Sequence, residues 1–315
     1  MKIIKNILNN IVAFFRKLFI RPYKEFPQKF DLKFNSKGEF KIMQLTDIHQ
    51  HSEIDLPTIN LISRIIDDES PDLVVITGDN IEGTACITEE GVKKAIDSIA
   101  RVMEDRKIPW AVTLGNHDCE CKVGREKQME IYKQYQYNLS QSYSMAFEKA
   151  GDYNILIKDS KGMSPVFNIY LLDSGDSTQD YINKHQVSWY KNTAFNLRHR
   201  YNKVIPAIMF FHIPLKQQFK AWQNRIDGER NEEECIQSID CKFLDELIKV
   251  KDVKAVFCGH DHINDYYGKL NNIIFGYGRK TGFNNYGKEG FKKGARIFIL
   301  NEGNPGEFKT YEVLE

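Results

Sequence analysis

Five times in this chain an apolar, β-branched run leads straight into side chains that bind metals. These tips are Asp47-Ile48-His49, Gly78-Asp79-Asn80, Gly115-Asn116-His117-Asp118, His212-Ile213-Pro214-Leu215 and Gly259-His260-Asp261-His262. Imidazole nitrogens and carboxylate oxygens together suit borderline divalent cations such as Zn, Fe or Mn. Asp47 and His49 are two apart, as are His260 and His262, so on extended backbone each pair faces one side. The glycines before Asp79, Asn116 and His260 permit a sharp turn and a close backbone approach. Five of the chain's eight histidines lie in these tips, a concentration that packing alone does not call for. A single D-x-H or G-D reads as a turn or helix cap. Five tips together read as a metal site.

The elements that must position them alternate. Apolar runs Lys41–Thr46, Leu73–Thr77 and Trp110–Leu114 read as strands, and Leu56–Asp68 and Glu89–Arg106 between them as helices. Short continuous apolar runs are what buried parallel strands look like, and βαβαβ alternation predicts an α/β sheet protein. Beyond an insert of helical character at Glu120–Lys149, the strands Ile155–Lys158 and Phe167–Leu172 form a hairpin. Val187–Arg200 and Cys241–Val250 are helices, Ala207–Phe211 and Ala255–Cys258 strands, and Asn272–Gly276, Ala295–Leu300 and Lys309–Val313 antiparallel strands. In open α/β sheets, sites lie beyond the carboxyl ends of strands, which is where every tip falls.

The series D-x-H, G-D, G-N-H-D, H and G-H-x-H resembles the calcineurin-like metallophosphoesterase superfamily, from about Phe40 to the end of the chain. Gly259–Asp265, Tyr277-Gly278, Tyr286-Gly287, Leu171–Gly175 and Phe211–Pro214 look like a narrower group. These are the fungal and plant phosphatases related to purple acid phosphatases but lacking the purple signature. The resemblance implies a four-layer α/β/β/α sandwich of two mixed sheets flanked by helices. It implies two divalent metal ions (Mn, Zn, Fe or similar), one on Asp47, His49 and His262, the other on Asn116, His212 and His260, with Asp79 shared. Purple enzymes carry a tyrosine three residues beyond the shared aspartate; here that position is Glu82, which argues against a purple iron site.

Such a site implies hydrolysis of phosphate monoesters by water activated between the ions. Phosphodiester hydrolysis and a non-catalytic metal-binding scaffold are the competing readings. His117, next to a ligand, is the candidate for substrate contact and leaving-group protonation. Asp118 is expected to orient the His117 ring. His51 reads as a loop residue within reach of substrate, His185 and His199 as surface or packing residues. The stretches 119–165 and Gln217–Ser238, with Lys216, Arg225 and Arg230, are expected at the rim of the cleft. The phosphorylated substrate's class stays open.

The domain of 36–315 is preceded by an arm and linker, 1–35. Ile4, Ile7, Leu8, Ile11, Phe15 and Leu18 share one helical face and Lys5, Asn6, Asn9, Asn10, Arg16 and Lys17 the other. This basic amphipathic helix is too short in apolar run to span a bilayer, but residues 1–21 are suited to an anionic membrane surface. The formal net charge of +1 argues against a dedicated nucleic-acid binder. Six scattered cysteines point to a reducing compartment, the cytosol; the arm is suited either to a peripheral place on the inner face of the membrane or to packing on its own domain or a partner. Cys119-Glu120-Cys121 lacks the two further close ligands that a zinc knuckle needs.

Overall fold

The computed structural model describes residues 28–142 and 149–315; the amphipathic helix expected in the arm lies outside them. In chain order the strands are β1 (Leu32–Lys33), β2 (Glu39–Leu45), β3 (Leu73–Thr77), β4 (Trp110–Thr113), β5 (Tyr153–Lys158), β6 (Pro165–Leu171), β7 (Ala207–Phe210), β8 (Arg225–Asp227), β9 (Val253–Cys258), β10 (Tyr267–Leu270), β11 (Ile273–Tyr277), β12 (Gly294–Asn301) and β13 (Phe308–Leu314). The helices are α1 (Leu56–Glu69), α2 (Glu89–Glu104), α3 (Arg125–Lys133), α4 (Lys184–Tyr201), α5 (Gln218–Gln223) and α6 (Phe243–Val250).

Local chemistry sets the helix ends. Thr88 caps α2 by accepting the Gly91 N–H, with Glu89 and Glu90 in the first turn and Arg101 in the last, charges that suit the helix dipole. Asn183 and Gln186 form a reciprocal capping box at α4. Ser70 closes α1 in a left-handed conformation, and Pro71 follows.

Two mixed sheets flanked by helices result. One has the order β13-β12-β2-β3-β4, the other β1-β5-β6-β7-β9-β11-β10-β8. β2, β3 and β4 run parallel, as do β6, β7, β9 and β11. Strand alternation splits the apolar side chains between two layers. Phe167, Ile169 and Leu171 of β6 join the core between the sheets, whereas Tyr170 and Leu172 pack with Tyr190 of α4 and Phe243 of α6. Phe298 of β12 touches Phe210 and Phe257 across the sandwich, at ring separations of 5.7 and 4.7 Å. Ile62 and Ile65 of α1 and Ile96 and Ile99 of α2 are buried in that same cluster.

Three expectations change. The 273–277 strand does not sit with its C-terminal neighbours; it lies parallel to β9 in the larger sheet and antiparallel to β10. Within the insert, the described residues hold one helix, α3. The linker is part of the fold from its last residues: β1 pairs with β5, Phe34 is buried, and Phe30 stacks on Tyr137.

Candidate metal centre

Parallel pairing fixes where the tips meet. Leu45 of β2 pairs with Ile76 of β3, and Thr77 of β3 with Thr113 of β4, so Asp47, Asp79 and Asn116 emerge at one sheet end. Phe210 of β7 pairs with Phe257 of β9, so His212, His260 and His262 emerge beside one another from the second sheet. Asp47, His49, Asp79 and His260 all adopt positive φ, at 51°, 48°, 49° and 78°. Non-glycine residues are held this way only where their surroundings over-determine them. Here the Asp47 N–H donates to the Gly78 carbonyl and the His49 N–H to the Asp79 carbonyl, at 3.1 and 2.8 Å. Glycine is required at Gly115: a Cβ there would stand 2.2 Å from Asp79 Oδ1.

The side chains converge into two sets that share one carboxylate. Asp47, His49, Asp79 and His262 present ligand atoms within 4.8 Å of one another, and Asp79, His212 and His260 do so as a second group. Ring orientation shows what the sets face. His49 Nδ1 lies 2.9 Å from Glu82 Oε2, and His262 Nδ1 lies 3.0 Å from the Tyr286 carbonyl. Both oxygens are acceptors, so in the neutral rings the hydrogens sit on Nδ1 and each Nε2 keeps its lone pair. Those two Nε2 atoms face each other at 3.1 Å. His212 Nδ1 likewise lies 3.0 Å from the Thr77 carbonyl, turning Nε2 to within 3.1 Å of Asp79 Oδ2 and 3.2 Å of His260 Nδ1. Asp79 Oδ2 and Asn116 Oδ1 are buried and accept no hydrogen bond. The lone pairs of His49 and His262, facing each other with no hydrogen between them, repel unless a cation lies among them. The residues present therefore fit divalent metal ions of the nitrogen- and oxygen-binding kind.

Electrostatics agree. Burial pushes the Asp47 and Asp79 carboxyls up, but the neighbouring imidazoles, His262 and His212 respectively, outweigh it and hold both below the usual range. Burial and the neighbouring His212 push His260 down to about 4, leaving it neutral, the ligand form. His212 goes the other way: burial lowers it, yet Asp79 lifts it to about 9. A proton and a cation thus compete for the same ring nitrogen.

His117 stands at the edge of this centre, its side chain 31% exposed and its ring 5.2 Å from that of His49. Its backbone N–H donates to Asp79 Oδ1 at 2.8 Å. The expectation that Asp118 orients the ring is corrected. Asp118 is buried beneath the turn, where its carboxylate accepts the Ile81 and Gly115 N–H groups at 3.0 and 2.7 Å. Those bonds commit both oxygens to the backbone. Glu120 takes the expected place, 2.8 Å from His117 Nδ1. Burial lowers the His117 pKa, but Asp79, Glu120 and Glu82 together raise it above its ordinary value.

Around the centre, Asn285 and Lys280 lie in no motif, and the motifs gave Glu82 and Tyr286 no role in holding a histidine. Glu82 holds His49, and Asn285 donates to Glu82 Oε2 at 3.1 Å. The Tyr286 ring stacks on His262 with centroids 4.0 Å apart. Lys280 is buried and donates to the Asp47 carbonyl at 3.2 Å; burial pushes its pKa down to about 8. Of the expected rim cations, Arg230 pairs with Glu234 at 2.8 Å, Arg225 donates to the Gly228 carbonyl, and Lys216 is exposed. His51 is half-buried, and His185 and His199 lie exposed on α4.

The model of the calcineurin-like phosphoesterase family matches residues 40–264. The chain is 34% identical to "Probable inactive purple acid phosphatase 29" of Arabidopsis thaliana, over 95% of this chain and 86% of that one. It is 29% identical to "Phosphatase DCR2" of Saccharomyces cerevisiae, over 75% of this chain and 46% of that one. Among solved structures, a dimetal phosphatase from Danio rerio superposes with a TM-score of 0.57 at 13% identity, over 87% of this chain and 98% of that one, a likeness of fold.

Proposed function

This chain belongs to the calcineurin-like phosphoesterase family, and on that premise we propose that it hydrolyses phosphate monoesters at a centre of two metal ions. The coarser statement, a metal-dependent phosphatase, follows from family and site together. The observation that supports two ions is the place of Asp79, whose carboxylate belongs to both ligand sets. Bound there, divalent ions supply Lewis-acid polarisation of the phosphoryl group and lower the pKa of water.

The chain's own groups supply the rest. Asp47, Asp79 and the four imidazoles of His49, His212, His260 and His262 fix the positions of positive charge at which a phosphate dianion would bind. Asn116, at the same sheet end, keeps a buried Oδ1 without a hydrogen-bond partner. His117, raised in pKa and open to solvent on one side, can hold a proton on Nε2 and pass it to a departing alkoxide. Glu120 fixes which nitrogen faces outward by engaging Nδ1.

The word "inactive" in the name of the Arabidopsis relative gives the scaffold reading its footing. Against it stands the complete donor set in this chain, with His117 poised beside it. The deciding experiment is turnover of aryl phosphate monoesters and diesters by protein reconstituted with Mn, Zn, Fe or Mg. Monoester turnover is expected to exceed diester turnover, and Asp79→Asn to lower it by at least ~100-fold with loss of bound metal. No turnover on either substrate by protein holding two metal equivalents would favour the scaffold. Preferred diester turnover would move the assignment to a phosphodiesterase.

A further inference from the structure

One short segment, Lys280–Tyr286, lies beyond the 40–264 span that the family model matches. It runs along one side of the centre. Thr281 exchanges bonds with Thr46: its N–H donates to the Thr46 carbonyl at 2.9 Å, and its Oγ1 accepts the Thr46 N–H at 3.2 Å. Lys280 Nζ and the Gly282 N–H both donate to the Asp47 carbonyl, at 3.2 and 3.1 Å. Gly282 approaches so closely that a Cβ would stand 1.8 Å from the Ile48 carbonyl oxygen. Asn284 Nδ2 donates to the His49 carbonyl at 3.0 Å, and Asn285 Nδ2 to Glu82, the acceptor of the His49 ring. Tyr286 takes His262 from three directions: its carbonyl accepts Nδ1, its Oη accepts the backbone N–H at 3.2 Å, and its ring stacks on the imidazole.

The second ligand set is held differently. His212 is fixed by the Thr77 carbonyl of β3, its own carbonyl accepts the Gly259 N–H, and the His260 N–H donates to Asp47 Oδ1. Among the described residues, no hydrogen bond from Lys280–Tyr286 reaches His212 or His260. The segment thus serves Asp47, His49 and His262 and leaves the other position to the sheet.

We propose that Lys280–Tyr286 is a positioning strap for one of the two cation positions, and that it makes the two unequal in affinity. This rests on the two-ion reading above. Residues that orient a ligating imidazole change metal affinity by about 10–100-fold when lost. Asn285 acts through Glu82 on the basicity and tilt of His49, and Tyr286 acts on the tilt of His262. Both Asn285 and Tyr286 are exposed side chains on the molecule's surface, so their replacement leaves the core intact.

The test is competitive chelator titration of Zn or Mn on the full chain, read as two stepwise affinities, with thermal unfolding of each metal-free variant as a check on folding. Asn285→Ala and Tyr286→Ala are expected to weaken one step by about 10–100-fold and leave the other within about twofold of wild type. Tyr286→Phe keeps the ring and the carbonyl and should restore most of the loss. Met163→Ala, at an exposed side chain outside the segment, should change neither step. Equal weakening of both steps, or no weakening in either alanine variant, overturns the strap while leaving the two-ion centre standing. Uptake of a single equivalent by the wild-type chain overturns the two-ion reading and the strap with it.

Discussion

His117 and Glu120 form the pair on which single substitutions are most informative. The proton that His117 would donate is held by a ring whose pKa is raised by Asp79, Glu120 and Glu82 against the lowering effect of burial. Were Asp79 engaged by a cation, Glu120, 2.8 Å from Nδ1, would be the nearest carboxylate left to favour the protonated ring. His117→Ala should lower turnover by about 100-fold or more with bound metal unchanged; loss of metal would instead make His117 a ligand. Glu120→Gln removes a negative charge that favours the protonated ring, so the His117 pKa falls. Activity that needs the protonated ring declines as pH rises through that pKa, so the alkaline limb of the pH–rate profile should move to lower pH. An unmoved limb would remove Glu120 from the mechanism.

At the scale of elements, α3 ties the insert to the Gly115-Asn116 turn. Arg125, in its first turn and buried, is bidentate to Asp173 at 2.5 and 2.7 Å and donates to the Gly115 carbonyl at 3.2 Å. Breaking a buried, hydrogen-bonded pair costs about 3–5 kcal/mol. Arg125→Met should therefore lower unfolding stability by roughly 3 kcal/mol in a denaturant titration and reduce activity by loosening the Gly115-Asn116 turn. A midpoint equal to that of the wild-type chain would show that the pair contributes nothing net. Nothing in the sequence near Arg125 names Asp173, because the two are joined only when α3 folds back over the β4 and β6 ends. The strands themselves were readable: Leu73–Thr77 and its neighbours are apolar runs whose length and β-branched content are local properties.

At the scale of the whole molecule, stability carries a pH signature from buried carboxyls. Asp152 is fully enclosed, accepting the Gln186 side chain and the Asp173 N–H on one oxygen at 2.8 and 3.0 Å. Burial pushes its pKa from 3.8 to about 7. Between those two values the folded chain keeps a proton that the unfolded chain has lost, so stability falls as pH rises across that window and levels off above it. The cost is at most ~4 kcal/mol, at about 1.4 kcal/mol per pKa unit. Asp152→Asn keeps an oxygen for both bonds and removes the charge. It should be more stable than wild type at pH 8 and equal to it near pH 4, measured by unfolding of metal-free protein. An unchanged pH dependence would show that Asp152 ionises freely in the fold.

What the sequence determined alone was the chemistry and its address: which side chains could bind cations, and that each follows a strand. Motif and strand are both written within about ten consecutive residues, so local spacing carries them. The sharing of Asp79 between two ligand sets was implied by the family resemblance, not by its spacing. The tertiary structure decided who orients whom. Asp118 is adjacent to His117, yet the Ile81 and Gly115 N–H groups claim its carboxylate, leaving the ring to Glu120. Asn285 and Tyr286 lie more than 200 and about 20 residues from the histidines they serve. The 273–277 strand and its C-terminal neighbours have similar apolar patterns, but they enter different sheets. Hydrophobic alternation says that a strand has a buried face; only the folded chain says which strand lies beside it.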